Sequence, residues 1–302
     1  MNNIIYLNGQ FIPQKEASIS VMDRGFLFSD GIYEVIPVSN GRMIAGTEHL
    51  ERLERSLDAI KIHNPLSMEA WLDTLNNLLN KNNKQKKDAS FYIQVTRGEQ
   101  PFRSHPIPQS PVPTVFILCG DSITKPVQEL AKGMSAITVE DKRRQDCYIK
   151  ATALLPNILA HQEAVDAGAQ EAILIRDGFA SEGTSSNLFI IKNKQLITPP
   201  LSVNILGGIT RKLIIEIAKF HEISYKERPI IKDELYTADE IWLTGSSKEI
   251  VPIIKLDGQP VGTENAGHLW HKMINLYQHY KHSGAVSATA SARPETEDNA
   301  PL

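Results

Sequence analysis

The stretch Cys147-Tyr148-Ile149-Lys150-Ala151-Thr152-Ala153-Leu154-Leu155-Pro156-Asn157 sets one lysine between a bulky segment and a small-residue link. Cys147-Tyr148-Ile149 reads as a short, largely buriable strand, and the run from Pro156 to about Ala167, ended by Gly168, reads as a helix. Lys150 then falls at a strand-to-helix junction, partly removed from water. Desolvation favours the neutral amine over the ammonium, and the neutral amine is the form that adds to a carbonyl. A lone lysine in such a place serves equally well as a side chain snorkelling from a strand end, so its reading depends on what surrounds it.

A chain of 302 residues has room for large cores and for one or two domains. Its 41% hydrophobic and 22% charged residues are ordinary for a globular protein. A net charge of −3 gives no electrostatic footprint for nucleic acid or an anionic membrane. The basic cluster Lys142-Arg143-Arg144 lies among Glu140, Asp141 and Asp146 and reads as a solvated turn. The amino terminus shows neither a basic region nor a long apolar run, and no stretch reaches transmembrane length. Two cysteines, Cys119 and Cys147, are too few for a disulfide framework or a cysteine zinc site, which suits a reduced, cytoplasmic setting. His268, His271, His279 and His282 read as a solvated helix face, and no metal site is expected.

Outward from Lys150 the chain is well punctuated. Asn8-Gly9, Asn40-Gly41, Asp177-Gly178 and Asp257-Gly258 are tight-turn signals between apolar runs. Helices are expected from Thr47, with Thr47 as cap, over about Ser67–Leu79, over Ile209–Phe220 and over about Glu264–His282. Strands are expected at 91–97, 114–118, 134–139, 172–176, 188–191, 195–198 and 240–244. Strands and helices mix without strict alternation, which is an α+β or mixed α/β pattern. The seam falls near Pro126, giving a small N-terminal α+β domain over 1–120 and a larger C-terminal domain over 121–282. Residues 283–302 are Ala, Ser, Pro and acidic residues without periodicity and read as a disordered tail.

Three further features could serve the same ligand as Lys150. Gly207-Gly208-Ile209-Thr210 opens a helix, where free N–H groups and the helix dipole favour a phosphate. Gly245-Ser246-Ser247 follows a strand and offers similar donors plus hydroxyls. Glu182, in the small polar loop Ser181-Glu182-Gly183-Thr184-Ser185-Ser186-Asn187, could hold a pyridine nitrogen protonated. Each alone has an ordinary reading as a turn or a surface carboxylate. An amine, two phosphate cradles and a pyridinium partner together suggest pyridoxal 5′-phosphate.

Here the sequence resembles the fold-type IV aminotransferases, and within them the D-amino-acid (D-alanine) aminotransferase group. The matching stretches run in order. They are Asp23-Arg24-Gly25, Asp30-Gly31-Ile32-Tyr33-Glu34, His49-Leu50-Glu51-Arg52-Leu53, Gln94-Val95-Thr96-Arg97-Gly98, Ile149-Lys150, Glu182 to Asn187, and Gly208-Ile209-Thr210-Arg211. The resemblance implies a two-domain fold with a barrel-like sheet in the larger domain, and a homodimer. It implies ping-pong transamination of D-alanine and 2-oxoglutarate to pyruvate and D-glutamate. By the same resemblance Lys150 binds the cofactor and moves the proton, and Glu182 pairs with the ring nitrogen. Arg52, Ile209, Thr210, Ser246 and Ser247 hold the phosphate, and Leu206 packs on the ring. Tyr33 and an Arg-x-His pair, here Arg103-Ser104-His105 from the partner subunit, bind the substrate carboxylate. One departure stands out: Phe102 intervenes between Pro101 and Arg103. Branched-chain L-aminotransferases and 4-amino-4-deoxychorismate lyases share the lysine and glutamate and remain alternatives. A cofactor-free Schiff-base lyase and a non-catalytic carrier of the cofactor are more distant ones.

Overall fold

The computed structural model describes residues 3–122 and 124–286. The Asn8-Gly9 turn, at φ 48° and 90°, joins β1 (Ile4–Leu7) to β2 (Gln10–Pro13). Asp23 caps α1 (Arg24–Phe28) by accepting the Gly25 N–H at 2.7 Å, and β3 (Gly31–Ser39) follows. Next come β4 (Arg42–Met43), α2 (Gly46–Ala59) and α3 (Met68–Lys81), then β5 (Ala89–Thr96) and β6 (Thr114–Asp121). These strands form a six-stranded sheet in the order β2-β1-β6-β5-β3-β4, antiparallel throughout. Leu50, Leu53 and Leu57 of α2 and Trp71 and Leu75 of α3 recur at helical spacing and bury against Ile36, Phe91 and Ile93. Each such aliphatic side chain contributes about 1.5–3 kcal/mol by leaving water.

The rest begins with α4 (Val127–Leu130), capped at Pro126, and β7 (Met134–Glu140). The order continues α5 (Leu155–Asp166), β8 (Glu171–Arg176), β9 (Phe179–Gly183), β10 (Asn187–Lys192), β11 (Gln195–Thr198) and α6 (Ile209–Phe220). It ends with β12 (Tyr225–Glu227), β13 (Ile230–Ile231), β14 (Glu240–Gly245), β15 (Glu249–Leu256), β16 (Gln259–Pro260) and α7 (His268–Ser283). The sheet path is β12-β11-β10-β14-β15-β7-β8-β9-β13, and β9 also pairs with β10 at Asn187 opposite Glu182. That one pairing closes β10, β14, β15, β7, β8 and β9 into a barrel-like ring. Along β10 the side chains alternate. Leu188 and Ile190 pack with Ile173, Leu243 and Ile253, whereas Phe189 and Ile191 face α6 and α7 through Ile214, Trp270 and Met273.

Several expectations are corrected. Thr47 is not the cap of α2; the helix begins at Gly46 behind Ala45, which takes a left-handed turn at φ 51°. Cys147-Tyr148-Ile149 is a turn rather than a strand, because Asp146 at φ 68° bends the chain and only Ala151 bridges to Ile32 of β3. Tyr148 is exposed rather than buried. Glu182 lies in a strand, β9, where the small residues Ala180, Ser181 and Gly183 fit the crowded barrel. The last helix extends through Ser283, the first residue of the expected tail; residues 287–302 of that tail lie outside the described residues. Among the described residues no helix is long and apolar enough to cross a membrane.

Candidate active site

Lys150 is stitched to the start of β3. Its carbonyl accepts the Tyr33 N–H at 3.0 Å, and the Thr152 N–H bonds the Gly31 carbonyl at 3.0 Å. The half-buried Lys150 amine stands 4.0 Å from the centre of the Tyr33 ring. Tyr33 stacks on Tyr92 at 5.8 Å, so the ring beneath the amine is fixed from behind.

Next to Tyr33 on β3, Glu34 is completely buried. It accepts Arg52 Nε at 2.8 Å and Nη2 at 2.6 Å, a bidentate pair, and His49 Nδ1 lies 3.0 Å from Oε1. Burial alone would raise the Glu34 carboxyl, but Arg52 and His49 outweigh it and hold the group far below the usual carboxylate range. Burial lowers the His49 imidazole, Glu34 opposes this, and the charges of Arg52 and Lys150 lower it further. The remaining Arg52 nitrogen, Nη1, donates to the Gly207 carbonyl at 3.0 Å. Thus α2 is tied to the turn that opens α6.

That turn has little slack. A Cβ on Gly208 would stand 1.9 Å from Asn187 Oδ1, so only glycine fits there. Asn187 Nδ2 donates to the Leu206 carbonyl at 2.8 Å and to Glu182 Oε2 at 3.1 Å, and the Leu206 N–H reaches the same oxygen at 3.2 Å. Gly208 caps α6 without a side-chain bond, which leaves the first-turn N–H groups of Ile209 and Thr210 open to an anion. On the far side of β10, Asn187 pairs with Thr244, bringing Gly245-Ser246-Ser247 beside the 183–187 turn. Lys248 pins this second cradle by its contacts with Glu171 and with Ser185 Oγ.

Glu182 is 4% exposed, and burial lifts its carboxyl to about 7 against the pull of Arg143. Arg143 bonds Glu182 Oε1 and reaches Asp141 at 2.8 Å, while Arg176 braces Asp141 at 3.1 Å. The Lys142-Arg143-Arg144 cluster is therefore not a solvated turn. Lys142 and Arg144 face water, but the Arg143 side chain turns inward, because two carboxylates wait there to neutralise it.

The structure draws Lys150 to Tyr33, ties Arg52 to Gly207 and Glu182 to Leu206 on the same turn, and sets Ile209 and Thr210 directly after that turn at the start of α6. Ser246 and Ser247 lie beside the 183–187 turn. Arg103 and His105 lie apart: both contact Phe28, at 4.9 Å and 5.4 Å, and among the described residues no hydrogen bond or ring contact joins them to Tyr33 or Lys150. Reading single residues missed Glu34, His49, Asn187 and Arg143. The first three lie within the matching stretches, which carried the signal, whereas Arg143 had none beyond its proximity to Asp141. An open helix start, a glycine with no space for a Cβ, a buried carboxylate and an apposed amine fit a phosphorylated pyridine aldehyde.

The sequence model of the class IV aminotransferases matches residues 31–256. The chain is 38% identical over 276 residues to the D-alanine aminotransferase of Staphylococcus haemolyticus, covering 91% of this chain and 97% of that one. Among solved structures it resembles the T.th. branched-chain amino acid aminotransferase complexed with N-(5′-phosphopyridoxyl)-L-glutamate. That likeness has a TM-score of 0.85 at 26% identity and covers 93% of this chain and 94% of that one. The branched-chain aminotransferase of Thermoproteus uzoniensis gives a TM-score of 0.84 at 28% identity, covering 92% and 94%. The chain belongs to the class IV aminotransferases, the fold-type IV enzymes that depend on pyridoxal 5′-phosphate.

Proposed function

We propose that this chain is a D-amino-acid transaminase, converting D-alanine and 2-oxoglutarate into pyruvate and D-glutamate in two alternating half-reactions. When bound, pyridoxal 5′-phosphate would supply an electron sink for the substrate carbanion and a temporary store for the amino group. Lys150 Nζ takes the proton from Cα of the donor and, on the return, delivers one to Cα of the acceptor. The Tyr33 ring, 4.0 Å below, limits where that amine can point. Glu182 would hold a proton on the ring nitrogen, with Arg143 favouring its ionised form. Arg52, the Ile209 and Thr210 N–H groups and the Ser246 and Ser247 hydroxyls would hold the phosphate, and Leu206 would pack on the ring. Tyr33, with Arg103 and His105 of a second subunit, would fix the substrate carboxylate and so choose the face of Cα turned to Lys150.

The observation that carries the chemistry is the Lys150 amine over Tyr33, joined through Glu34, Arg52 and Gly207 to the open start of α6. The 38% identity to a D-alanine aminotransferase, together with Arg103-Ser104-His105, favours the D-amino acid over a branched-chain L-amino acid. A homodimer in the cytoplasm completes the reading. Phe26, Phe102 and Val112 are more than three-quarters exposed, and Leu155, Ile158 and Leu159 leave an apolar face on α5, both surfaces suited to a second copy. Units over 1–120 and 121–282 are supported by the strand pairing, since the two sheets share no strand and are crossed only by Asp121 at the seam and by the single bridge from Ile32 to Ala151, among the described residues.

The test mixes holoenzyme with D-alanine or with L-leucine in separate samples, following the bound cofactor's visible absorbance and the oxo acid released. Bleaching with pyruvate from D-alanine alone is expected. A response to L-leucine alone would move the enzyme to the branched-chain group, and no response to either would remove transamination.

A further inference from the structure

We infer that Arg24, with Phe28 and Gln100, is a positioning device for the Arg103-Ser104-His105 loop, and through it sets the enzyme's affinity for substrate carboxylates. The inference rests on the carboxylate-binding role proposed above for Arg103 and His105. Their segment, between β5 and β6, has no regular secondary structure from Pro101 to Pro113, and the side chains of Arg103 and His105 are exposed. Such a loop would have to be ordered by each arriving substrate, at a cost in affinity, unless something else ordered it first.

Arg24 does this from a buried position. Its Nη1 donates to the carbonyls of Ser104 at 2.7 Å and Pro106 at 3.3 Å, and its Nη2 donates to that of His105 at 3.1 Å. Nη1 also meets Gln100 Oε1 at 2.7 Å, and Gln100 Nε2 donates to the Ser104 carbonyl at 2.9 Å. The anchors are main-chain carbonyls, so they hold the loop's path while leaving the Arg103 and His105 side chains unspent. The other edge of the guanidinium is locked: Nε donates to Asp30 at 2.7 Å, and Asp30 takes Arg97 through both oxygens at 2.8 and 2.9 Å. Arg97 in turn donates to the carbonyls of Ile60 and Lys61 behind α2, which roots the device in the core helix. The Phe28 ring lies 4.9 Å from the guanidinium carbons of both Arg24 and Arg103 and 5.4 Å from the His105 ring. A planar fork with several fixed donors is required here; a lysine offers one mobile centre.

The variants are Arg24→Lys, which keeps the charge opposite Asp30 but loses the fork, Phe28→Leu and Gln100→Met. Arg103→Ala is measured beside them, all as holoenzymes. For each positioning variant, KM for D-alanine and for 2-oxoglutarate should rise about tenfold while kcat changes less than about twofold. Affinity for propionate, a carboxylate without an amine, should fall in parallel. The slow bleaching of the cofactor by ethylamine, an amine without a carboxylate, should hold constant. If Arg24→Lys does not fold, Phe28→Leu and Gln100→Met decide by the same readings. A raised KM in Arg103→Ala with no change in the positioning variants overturns the inference alone. An unchanged KM in Arg103→Ala removes the carboxylate role itself, and the inference with it. Equal losses with ethylamine and D-alanine would mark Arg24 and Phe28 as general supports of the fold, which also overturns it.

Discussion

Replacing Arg143 by Met should move the pH dependence of cofactor binding. Arg143 is the cation in contact with Glu182, whose carboxyl burial lifts to about 7. A hydrogen bond from a charged donor stabilises an ionised partner by about 1.5–3 kcal/mol. Losing it should raise the Glu182 value by about one to two units, at about 1.36 kcal/mol per unit. At pH 7 the ionised fraction would drop from about one half to between about one-tenth and one-hundredth, weakening cofactor binding to the apoenzyme about five- to fiftyfold. The assay is a titration of apoenzyme with pyridoxal 5′-phosphate between pH 6 and 9.5, with Lys142→Ala correcting for the cofactor's own ionisation. The linkage sign gives a second reading. The Glu182 value is raised on folding, so its contribution to stability is present at acid pH and is lost as pH rises through about 7. In Arg143→Met that loss should extend upward by the same one to two units, as read from melting temperatures. An affinity profile that superimposes on the parent's would refute the pairing as a functional one.

Other perturbations give separate checks. Arg52→Ala strips the buried Glu34 of its bidentate partner and should cost about 3–5 kcal/mol, seen as a lower denaturant midpoint, with Arg52→Lys intermediate. Since Glu34 is depressed on folding, its pairing supports the parent above the ordinary glutamate value and is lost as pH falls below it; an acid melt should be shallower in Arg52→Ala. Gly208→Ala drives a Cβ against Asn187 Oδ1 and should cost about 1–3 kcal/mol while loosening cofactor binding, measured by melting and by titration. Leu159→Lys, on the apolar face of α5, should break the proposed homodimer, read as monomer mass in light scattering with an unchanged far-ultraviolet circular dichroism.

What could be read from the sequence was what is decided locally. Asn8-Gly9, Asn40-Gly41, Asp177-Gly178 and Asp257-Gly258 occupy left-handed turns because their chemistry is sufficient to make them. The Gly207-Gly208 helix start and the helical stripes of α3 and α6 follow from the same short-range rules. Arg143 is opaque because its partner Glu182 lies 39 residues away, and a basic triplet among acidic neighbours resembles any wet turn. Strand β9 is hidden because Ala-Ser-Glu-Gly has no strand propensity of its own; pairing with β8, β10 and β13 imposes it. Lys150 stands out in the sequence although the strand expected before it is a turn, since its placement depends on the bridge from Ala151 to Ile32, far back in the chain.

The pairing of Asn187 with Glu182 is also the seam at which the barrel shuts. Two of the six staves, β14 and β15, come from Glu240–Leu256, close to the end of the described chain. A nascent chain halted before Glu240 therefore possesses the lysine, the glutamate and the helix start, yet lacks the enclosure that sets them against one another. A chain cut before Glu240 should therefore take up no coenzyme although Lys150, Glu182 and the start of α6 are all present.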